Sequence, residues 1–415
     1  MFCININTPG RLFGESTNCV FQLKQNQNSK TGFFGDLEYV GYFNKNRFNK
    51  MFIIKDSEDN KYLLKLSYQN QNLSDFGYIE DYKTIKKNIK EGLYLQHFLS
   101  ENSEEGGYNC RRDKSKTNIC KVFSFGTYET LNYPLFQSII EGREVDKEGL
   151  SKQGIYGIIE YPTEGLLIDN IYENRNFKNL QYINRVIKEI CIAVQCVHEN
   201  HYVHLDLTPE NLTLTRVWLP FFDTYIQTYT IKILDFSSSK KIENQNIQNN
   251  GIIGTPGYIA PEMISGGPCD YKCDVWSIGM ITLVCLLRYF DIEPNIDDLV
   301  HLETNKLNYL IVDNISRFRH TDKRLQINDS DNSRRGEKYK YYTELEKKLN
   351  TLPFNTKRFI LKCLKVNTEE RFTIQQCLQE LETKSWSLPS SSKGGRKNSK
   401  KNSNKKKYKK SQKKI

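Results

Sequence analysis

The sequence predicts an α+β fold with two lobes, a small antiparallel β-sheet lobe with one helix and a larger, mainly helical lobe. The prediction rests on a change of pattern along the chain. Up to about residue 160, short strand-like runs are separated by turn residues, and a single stretch has helical spacing. From Leu180 onward, apolar residues recur at helical spacing over longer segments. With 415 residues, 38% of them hydrophobic, the chain is long enough to bury a core in each lobe.

The small lobe is predicted from six strand-like runs and one helix. The helix spans Tyr82–Leu99, where Ile85, Ile89 and Leu93 fall on one face. The dipeptide Asp59-Asn60 marks a turn between the second and third strands. The predicted strands are Leu37–Tyr42, Lys50–Lys55, Lys61–Leu66, Lys121–Thr127, Leu135–Ile140 and Tyr156–Tyr161.

The large lobe is predicted to begin with an amphipathic helix from Leu180 to about His198. Short strands follow at Leu212–Thr215 and Ile231–Leu234, and apolar helices continue to about residue 382. A charged stretch at about 320–345 is typical of an inserted surface loop. We therefore predict a loose N-terminal extension at 1–36, a small lobe at about 37–160, a large lobe at about 161–382 and a disordered basic tail at 383–415.

The positive charge is concentrated at the C-terminal end. The segment Lys393–Ile415 contains 12 lysine and arginine residues and no acidic residue, so residues 1–392 are close to neutral although the whole chain carries +11. Such a tail can recruit an anionic partner, namely a nucleic acid, a membrane surface or a nuclear import receptor. It can equally be a solvated tail that only aids solubility.

The sequence gives no sign of a membrane or secretory segment. Residues 1–14 lack the basic and then apolar pattern of a signal peptide. The longest apolar stretch, Val275–Leu287, is short for a bilayer and contains Ser277 and Gly279. We therefore expect no transmembrane segment and an intracellular protein, in the cytoplasm, the nucleus or both.

The strongest chemical signal is a polar loop in the middle of the chain. Residues 204–212 read His-Leu-Asp-Leu-Thr-Pro-Glu-Asn-Leu. Phosphoryl transfer to a hydroxyl group needs a carboxylate that accepts the hydroxyl proton and oxygen ligands for Mg²⁺. Asp206 suits the first role, and Asn211 suits the second. Taken alone, this loop is also compatible with an ordinary polar surface loop.

Four further motifs follow in a fixed order. They are Ile-Leu-Asp-Phe-Ser at 233–237, Gly-Thr-Pro-Gly-Tyr-Ile-Ala-Pro-Glu at 254–262, Asp-Val-Trp-Ser-Ile-Gly at 274–279 and Asn-Thr-Glu-Glu-Arg-Phe-Thr at 367–373. The set and its order resemble the eukaryotic protein kinase family of the Ser/Thr type, over about residues 38 to 382. The resemblance implies the two-lobed protein kinase fold, ATP and Mg²⁺ as cofactors, and a protein substrate.

The resemblance also implies roles for residues of the small lobe. Lys65 matches the lysine that touches the ATP phosphates, and Lys61 is the less favoured candidate because it lies at a solvated strand end. Glu91 matches the helical glutamate that pairs with this lysine, and Glu80 is less favoured because it precedes the helix. Gly41 is the first residue of the glycine-rich loop over the phosphates.

Further roles follow from the same resemblance. Glu160 and Tyr161 belong to the hinge that binds adenine through its backbone. Asp235 is, with Asn211, a metal ligand. In supporting roles, we expect Glu262 to pair with Arg371, Asp274 to brace the catalytic-loop backbone, and Thr255 to contact Asp206.

Several positions depart from the family pattern. The glycine-rich loop keeps only its first glycine, Thr208 replaces a lysine near the transferred phosphate, Ser237 replaces a glycine, and Leu205 replaces an arginine that reads an activating phosphate. These departures leave open a pseudokinase that binds nucleotide or acts as a scaffold. Because Lys65, Glu91, Asp206, Asn211 and Asp235 are all present, we favour an active Ser/Thr kinase. A Tyr-specific kinase fits the activation segment poorly.

An insertion separates Asn211 from Asp235. Residues 216–229 contain five aromatic side chains, namely Trp218, Phe221, Phe222, Tyr225 and Tyr229. The insertion is either a hairpin extension, which we favour, or a docking surface.

Overall fold

A computed structural model provides the structure of the protein. It describes residues 19–20, 37–45, 49–67, 82–100, 111–113, 116–129, 153–221, 224–242, 253–292, 347–383 and 386. The predicted strand Leu135–Ile140, the predicted loop at 320–345 and nearly all of the basic tail lie outside these residues.

The small lobe is built on a six-stranded antiparallel sheet. One helix, α1 (Tyr82–Ser100), packs against the sheet. The predicted α+β class and the predicted helix are therefore confirmed. The strands of the sheet are β1 (Cys19–Val20), β2 (Glu38–Lys45), β3 (Asn49–Lys55), β4 (Lys61–Ser67), β7 (Val122–Glu129) and β8 (Gln153–Glu160). They lie in the order β1-β7-β8-β4-β3-β2. The short strands β5 (Arg111–Asp113) and β6 (Lys116–Thr117) pair with each other and form a separate sheet.

Alternation along β3 and β4 sorts their side chains into two cores. Met51 and Leu63 join the cluster that includes Ile85, Ile89 and Leu93 of α1. The intervening residues, such as Phe52 and Leu64, join a second cluster on the opposite face. Lys65 is paired with Met51 across the sheet and therefore lies on the α1 face. The alternation thus places a lysine inside an apolar core, where its ammonium group needs a partner.

The large lobe is mainly helical, as predicted. Its central helix is α3 (Leu180–Glu199). Asn179 caps the start of this helix, because its side-chain oxygen accepts hydrogen bonds from the backbone N–H groups of Gln181 and Tyr182. The described helices are α2 (Leu167–Glu173), α3 (Leu180–Glu199), α4 (Pro261–Ile264), α5 (Lys272–Phe290), α6 (Phe354–Cys363) and α7 (Ile374–Thr383). The strands are β9 (Tyr202–Val203), β10 (Leu212–Phe221), β11 (Thr224–Ile233) and β12 (Lys240–Lys241).

The insertion between Asn211 and Asp235 forms a long β-hairpin. Strands β10 and β11 pair in antiparallel register from Leu212–Ile233 to Phe221–Thr224. The two short strands predicted there are therefore ten residues long each, and residues 216–221 and 224–229 extend them. The hairpin interpretation is confirmed.

Two predicted boundaries need correction. Cys19 and Val20, in the predicted loose N-terminal extension, pair with Phe125 and Ser124 of β7, because β7 would otherwise leave an unpaired sheet edge. Trp386, in the predicted disordered tail, is 0% exposed and packs edge-on against Phe359 at 5.6 Å between ring centroids. The folded part therefore reaches at least Trp386, because a large aromatic ring fills the core there.

Helix α5 is strongly apolar in composition. Within the described residues, it is long and apolar enough to cross a membrane by length and composition alone. However, 78% of its most apolar 18-residue stretch is buried inside the protein, as is typical of the core helix of a globular domain.

Replacing Trp386 tests the corrected boundary. We expect Trp386→Ala to lower the free energy of unfolding by about 3–5 kcal/mol, because it leaves a cavity beside Phe359. The matched control is Phe354→Ala, since Phe354 is 76% exposed and its loss should change stability by only about 0.5 kcal/mol. Urea unfolding of both variants gives the comparison. Equal, small effects would show that Trp386 does not belong to the core.

Candidate active site

A buried carboxylate fixes the loop that carries Asp206. Asp274, near the start of α5, accepts hydrogen bonds from the backbone N–H groups of His204 (2.8 Å) and Leu205 (2.9 Å) and contacts His198 Nε2 at 2.8 Å. Burial opposes the ionised form of Asp274, but the contact with His198 outweighs it and lowers the pKa of this carboxyl group. The expected bracing by Asp274 is thus present.

The loop is held in a demanding backbone conformation. Leu205 has φ of 67°, a left-handed conformation that is uncommon for a residue with a side chain. Gly254, at φ of 109°, packs directly on it, since an added Cβ would lie 2.5 Å from the carbonyl oxygen of Leu205. A glycine is therefore required at the point where the 254–262 motif meets the Asp206 loop.

Asp206 lies at the centre of the polar cluster. Thr255 Oγ1 donates to Asp206 Oδ1 at 2.6 Å, as predicted. Asn211 Nδ2 donates to the other carboxylate oxygen at 3.2 Å and to the Asp206 carbonyl at 2.9 Å. Burial raises the pKa of Asp206, while the hydrogen bond from Thr255 counteracts this shift. The structure thus brings the predicted base and one predicted metal ligand into contact.

His204 does not offer a second base at this position. Its ring is fully buried and packs edge-on against Phe236 at 5.0 Å between centroids. Burial lowers its pKa, so the imidazole is neutral near pH 7. It packs against Phe236, and its Nδ1 accepts a hydrogen bond from the Asp206 N–H at 3.3 Å.

Asp235 forms a buried ion pair with Lys65. Lys65 Nζ donates to Asp235 Oδ1 at 2.7 Å, and the two side chains are 2% and 5% exposed. Ser237 donates to the same oxygen through its hydroxyl group (2.5 Å) and its backbone N–H (2.8 Å). Burial raises the pKa of Asp235, but Lys65 and Ser237 outweigh it and hold the pKa well below its usual range. Asp235 is therefore ionised.

The expected pair between Glu91 and Lys65 is not formed. Among the described residues, the ion pair of Glu91 is with Lys87, at 3.7 Å, and the Glu91 side chain is 33% exposed. The reason is the orientation of α1 about its own axis. Gly92, the next residue, faces the Asp235 segment, and an added Cβ there would lie 2.7 Å from the Phe236 carbonyl carbon. One residue corresponds to about 100° around a helix, so Glu91 points to the side.

The hinge is held in place by the side chain of Glu160. The Glu160 carboxylate accepts from Lys121 N–H (3.1 Å) and Lys232 Nζ (2.6 Å), and the Glu160 N–H donates to the Lys121 carbonyl (2.8 Å). Pro162 has no N–H group. The predicted use of the hinge backbone therefore rests on the Glu160 carbonyl and on Tyr161.

Phe43 stands in the degenerate glycine-rich loop. Its ring contacts Tyr161 edge-on at 6.2 Å between centroids and packs against the apolar cluster of the small lobe. Gly41, two residues earlier, has open space around it, since an added Cβ would meet no atom within 4 Å. The loop therefore leaves room above Gly41 and places an aromatic side chain beside the hinge.

A second buried ion pair supports the large lobe. Arg371 donates to both carboxylate oxygens of Glu262, at 2.6 and 2.8 Å, as predicted. The Arg371 guanidinium also lies 5.2 Å from the ring centroid of Trp276. This contact ties the 254–262 motif to the 367–373 motif.

Comparison with known sequences agrees with this arrangement. Residues 128–381 match the family described as protein kinase domain, which is more than half of the chain. The chain belongs to the protein kinase family. The match begins after Gly41, Lys65 and Glu91, so it covers the large lobe and only the end of the small lobe of this kinase domain.

Individual relatives are similar over parts of the chain. Calcium/calmodulin-dependent protein kinase type IV of Mus musculus is 36% identical over 141 residues, which is 34% of this chain and 27% of the relative. Serine/threonine-protein kinase 17A of Oryctolagus cuniculus is 31% identical over 223 residues, 54% of this chain and 46% of the relative. The chain therefore spans less than half the length of these relatives.

Sequence reasoning missed three residues of the site. Asn49, 0% exposed on β3, donates to Asp235 Oδ2 at 3.2 Å. Phe43 contacts the hinge, and Lys232 pairs with Glu160. A signal existed for Asn49, since it shares the buried face of β3 with Met51, where a polar residue is unusual. No comparable signal marks the other two.

Breaking the pair of Glu262 and Arg371 tests its structural role. Arg371→Gln leaves a buried carboxylate without its cation, so we expect the free energy of unfolding to fall by about 3–5 kcal/mol. Lys188→Gln is the control, because its ion pair with Glu382 is largely solvated and contributes at most about 1 kcal/mol. Urea unfolding curves of both variants decide. Similar midpoints for the two would contradict the assignment.

Proposed function

We propose that this kinase domain transfers the γ-phosphoryl group of ATP to serine and threonine hydroxyl groups of protein substrates. The observation that carries the proposal is the position of Asp206. Its carboxylate is held by Thr255 and Asn211 on a loop that Asp274 anchors. A carboxylate fixed in this way can orient an incoming hydroxyl group and accept its proton.

The residues present fit ATP with Mg²⁺. Asp235 is ionised and Asn211 offers an amide oxygen, and these are the oxygen ligands that Mg²⁺ prefers. Lys65 supplies an ammonium group for phosphate oxygens, and the open space at Gly41 suits a phosphate chain. When bound, ATP with Mg²⁺ supplies the phosphoryl group and a counter-charge for it.

The residues of the chain then have separate tasks. Asp206 holds the substrate hydroxyl group and receives its proton. Lys65 neutralises charge on the phosphates, and Asp235 with Asn211 holds the cation. Thr208, which is buried, supplies no cation where many kinases have a lysine, so charge stabilisation is weaker here by about 1–3 kcal/mol.

A pseudokinase is the second candidate, and a specific contact favours it. Lys65 forms its ion pair with Asp235, and Glu91 pairs with Lys87 instead of with Lys65. In addition, Pro162 removes one hinge donor. A domain with these features can keep the fold and bind nucleotide while transferring little phosphate. We favour the enzyme because the loop of Asp206 and Asn211 is fully assembled.

Replacing Asp206 by asparagine tests the choice between enzyme and pseudokinase. With labelled ATP, Mg²⁺ and a mixed generic protein substrate, we expect label on serine and threonine. In Asp206→Asn the rate should fall about 100-fold or more, because the amide cannot accept the proton. Glu199→Gln, an exposed carboxylate at the end of α3, is the control and should keep full activity.

The outcomes separate the two candidates. Label that disappears in Asp206→Asn and persists in Glu199→Gln supports the enzyme. No label with any variant, together with a rise in melting temperature on adding ATP, would leave a nucleotide-binding pseudokinase.

The hydrogen bond from Thr255 predicts a change in pH dependence. This bond lowers the pKa of Asp206, which burial raises. Without it the pKa rises further, so Asp206 becomes protonated, and inactive as a base, at a higher pH. We expect the acidic limb of the rate profile of Thr255→Val to move to higher pH, while Thr255→Ser keeps the wild-type profile. An unshifted limb in Thr255→Val would contradict this role.

A further inference from the structure

The metal ligand Asp235 is occupied by donors from this chain. An ionised carboxylate offers about four lone-pair positions. Lys65 Nζ, Ser237 Oγ and Ser237 N–H are directed at Oδ1, at 2.7, 2.5 and 2.8 Å. Asn49 Nδ2 is directed at Oδ2, at 3.2 Å. Three donors therefore crowd Oδ1, and Asn49 takes a position on Oδ2 that a cation would need.

Two of these donors come from the side chains of Ser237 and Asn49. Ser237 stands where the resemblance leads us to expect glycine, and its hydroxyl group contacts both members of the ion pair, since Lys65 Nζ lies 3.3 Å from Ser237 Oγ. Asn49, on β3, donates to the other carboxylate oxygen of Asp235. The ion pair is thus held from the small lobe and from the segment that follows Asp235.

The packing of α1 reinforces this arrangement. Gly92 lies against the backbone of Phe236 and Ser237, where an added Cβ would be within 2.8 Å of three backbone atoms. The absence of a side chain at Gly92 therefore lets the segment that carries Ser237 lie directly against α1. Glu91, which would compete with Asp235 for Lys65, lies to the side with Lys87.

We propose that Asn49 and Ser237 are positioning residues that keep Asp235 as the counter-ion of Lys65 until Asp235 exchanges these donors for a divalent cation. The inference rests on the proposed ATP–Mg²⁺ site. Lys65 would then be free to contact the phosphates, so the metal and the nucleotide would bind cooperatively. The apparent affinity for the cation is reduced by the fraction of molecules in which Asp235 is still held.

The test measures cation binding without turnover. Mn²⁺ is titrated into the full chain in the presence of a non-hydrolysable ATP analogue, and free Mn²⁺ is followed by electron paramagnetic resonance. We expect Ser237→Ala to bind Mn²⁺ about 10-fold more tightly than wild type, because a charge-assisted hydrogen bond to Asp235 is gone. The control is Ser239→Ala, whose hydroxyl group donates to the His204 carbonyl and does not touch Asp235.

A second variant guards against misfolding. Asn49→Leu has a similar shape but no donor, and it should also tighten Mn²⁺ binding, by a smaller factor because its 3.2 Å contact is the longer one. Circular dichroism and cooperative unfolding verify that each variant is folded. If Ser237→Ala does not fold, the result for Asn49→Leu decides.

The outcomes are distinct from those of the proposed function. Unchanged or weaker Mn²⁺ binding in the folded variants overturns the inference, since the hydroxyl group would then be neutral or would assist the cation. Absence of Mn²⁺ binding in wild type and variants also overturns it. If the variants bind Mn²⁺ more tightly while no protein transfers phosphate, the inference stands and the proposed catalytic function fails.

Discussion

The carboxylate of Asp274 is the constraint on which the candidate site depends. It is buried at the start of α5 and binds two consecutive backbone N–H groups of the loop that carries Asp206. These bonds hold Leu205 in a left-handed conformation, and this conformation is what brings the loop against Gly254. Thr255 follows Gly254 directly, so its contact with Asp206 is a consequence of the same anchor. The polar cluster is therefore built outward from one helix of the large lobe.

The two lobes differ in how far they match the family. The large lobe has its ion pair of Glu262 and Arg371, its anchored loop and its assembled Asp206 and Asn211. In the small lobe, Lys65 is turned to Asp235 and Glu91 to Lys87. The family match begins at residue 128 and therefore does not include Lys65 and Glu91. The polar cluster of the large lobe is thus assembled, whereas the expected pair of Lys65 and Glu91 in the small lobe is not.

Much of the fold and site could be predicted, for reasons that particular residues make clear. Asp206, Asn211 and Asp235 lie in short contiguous motifs, where sequence order fixes the neighbourhood. The side to which Glu91 points depends on the rotation of α1, which apolar spacing does not determine to within one residue. The contact between Asn49 and Asp235 joins residues 186 positions apart. Trp386 follows a polar stretch, so only packing against Phe359 reveals that it is core.

The long hairpin of β10 and β11 is mechanically joined to the connection between the lobes. Lys232, near the base of β11, holds Glu160, and the segment from Asn118 to Cys120 is hydrogen-bonded to the same strand. A paired ribbon of ten-residue strands transmits a displacement along its length more faithfully than a loose loop does. The hairpin thus connects its outer end, at Phe221 and Thr224, to the side chain of Glu160 through continuous strand pairing. Because β10 also follows Asn211 directly, a displacement of the hairpin would reach both the hinge and the loop that carries Asp206.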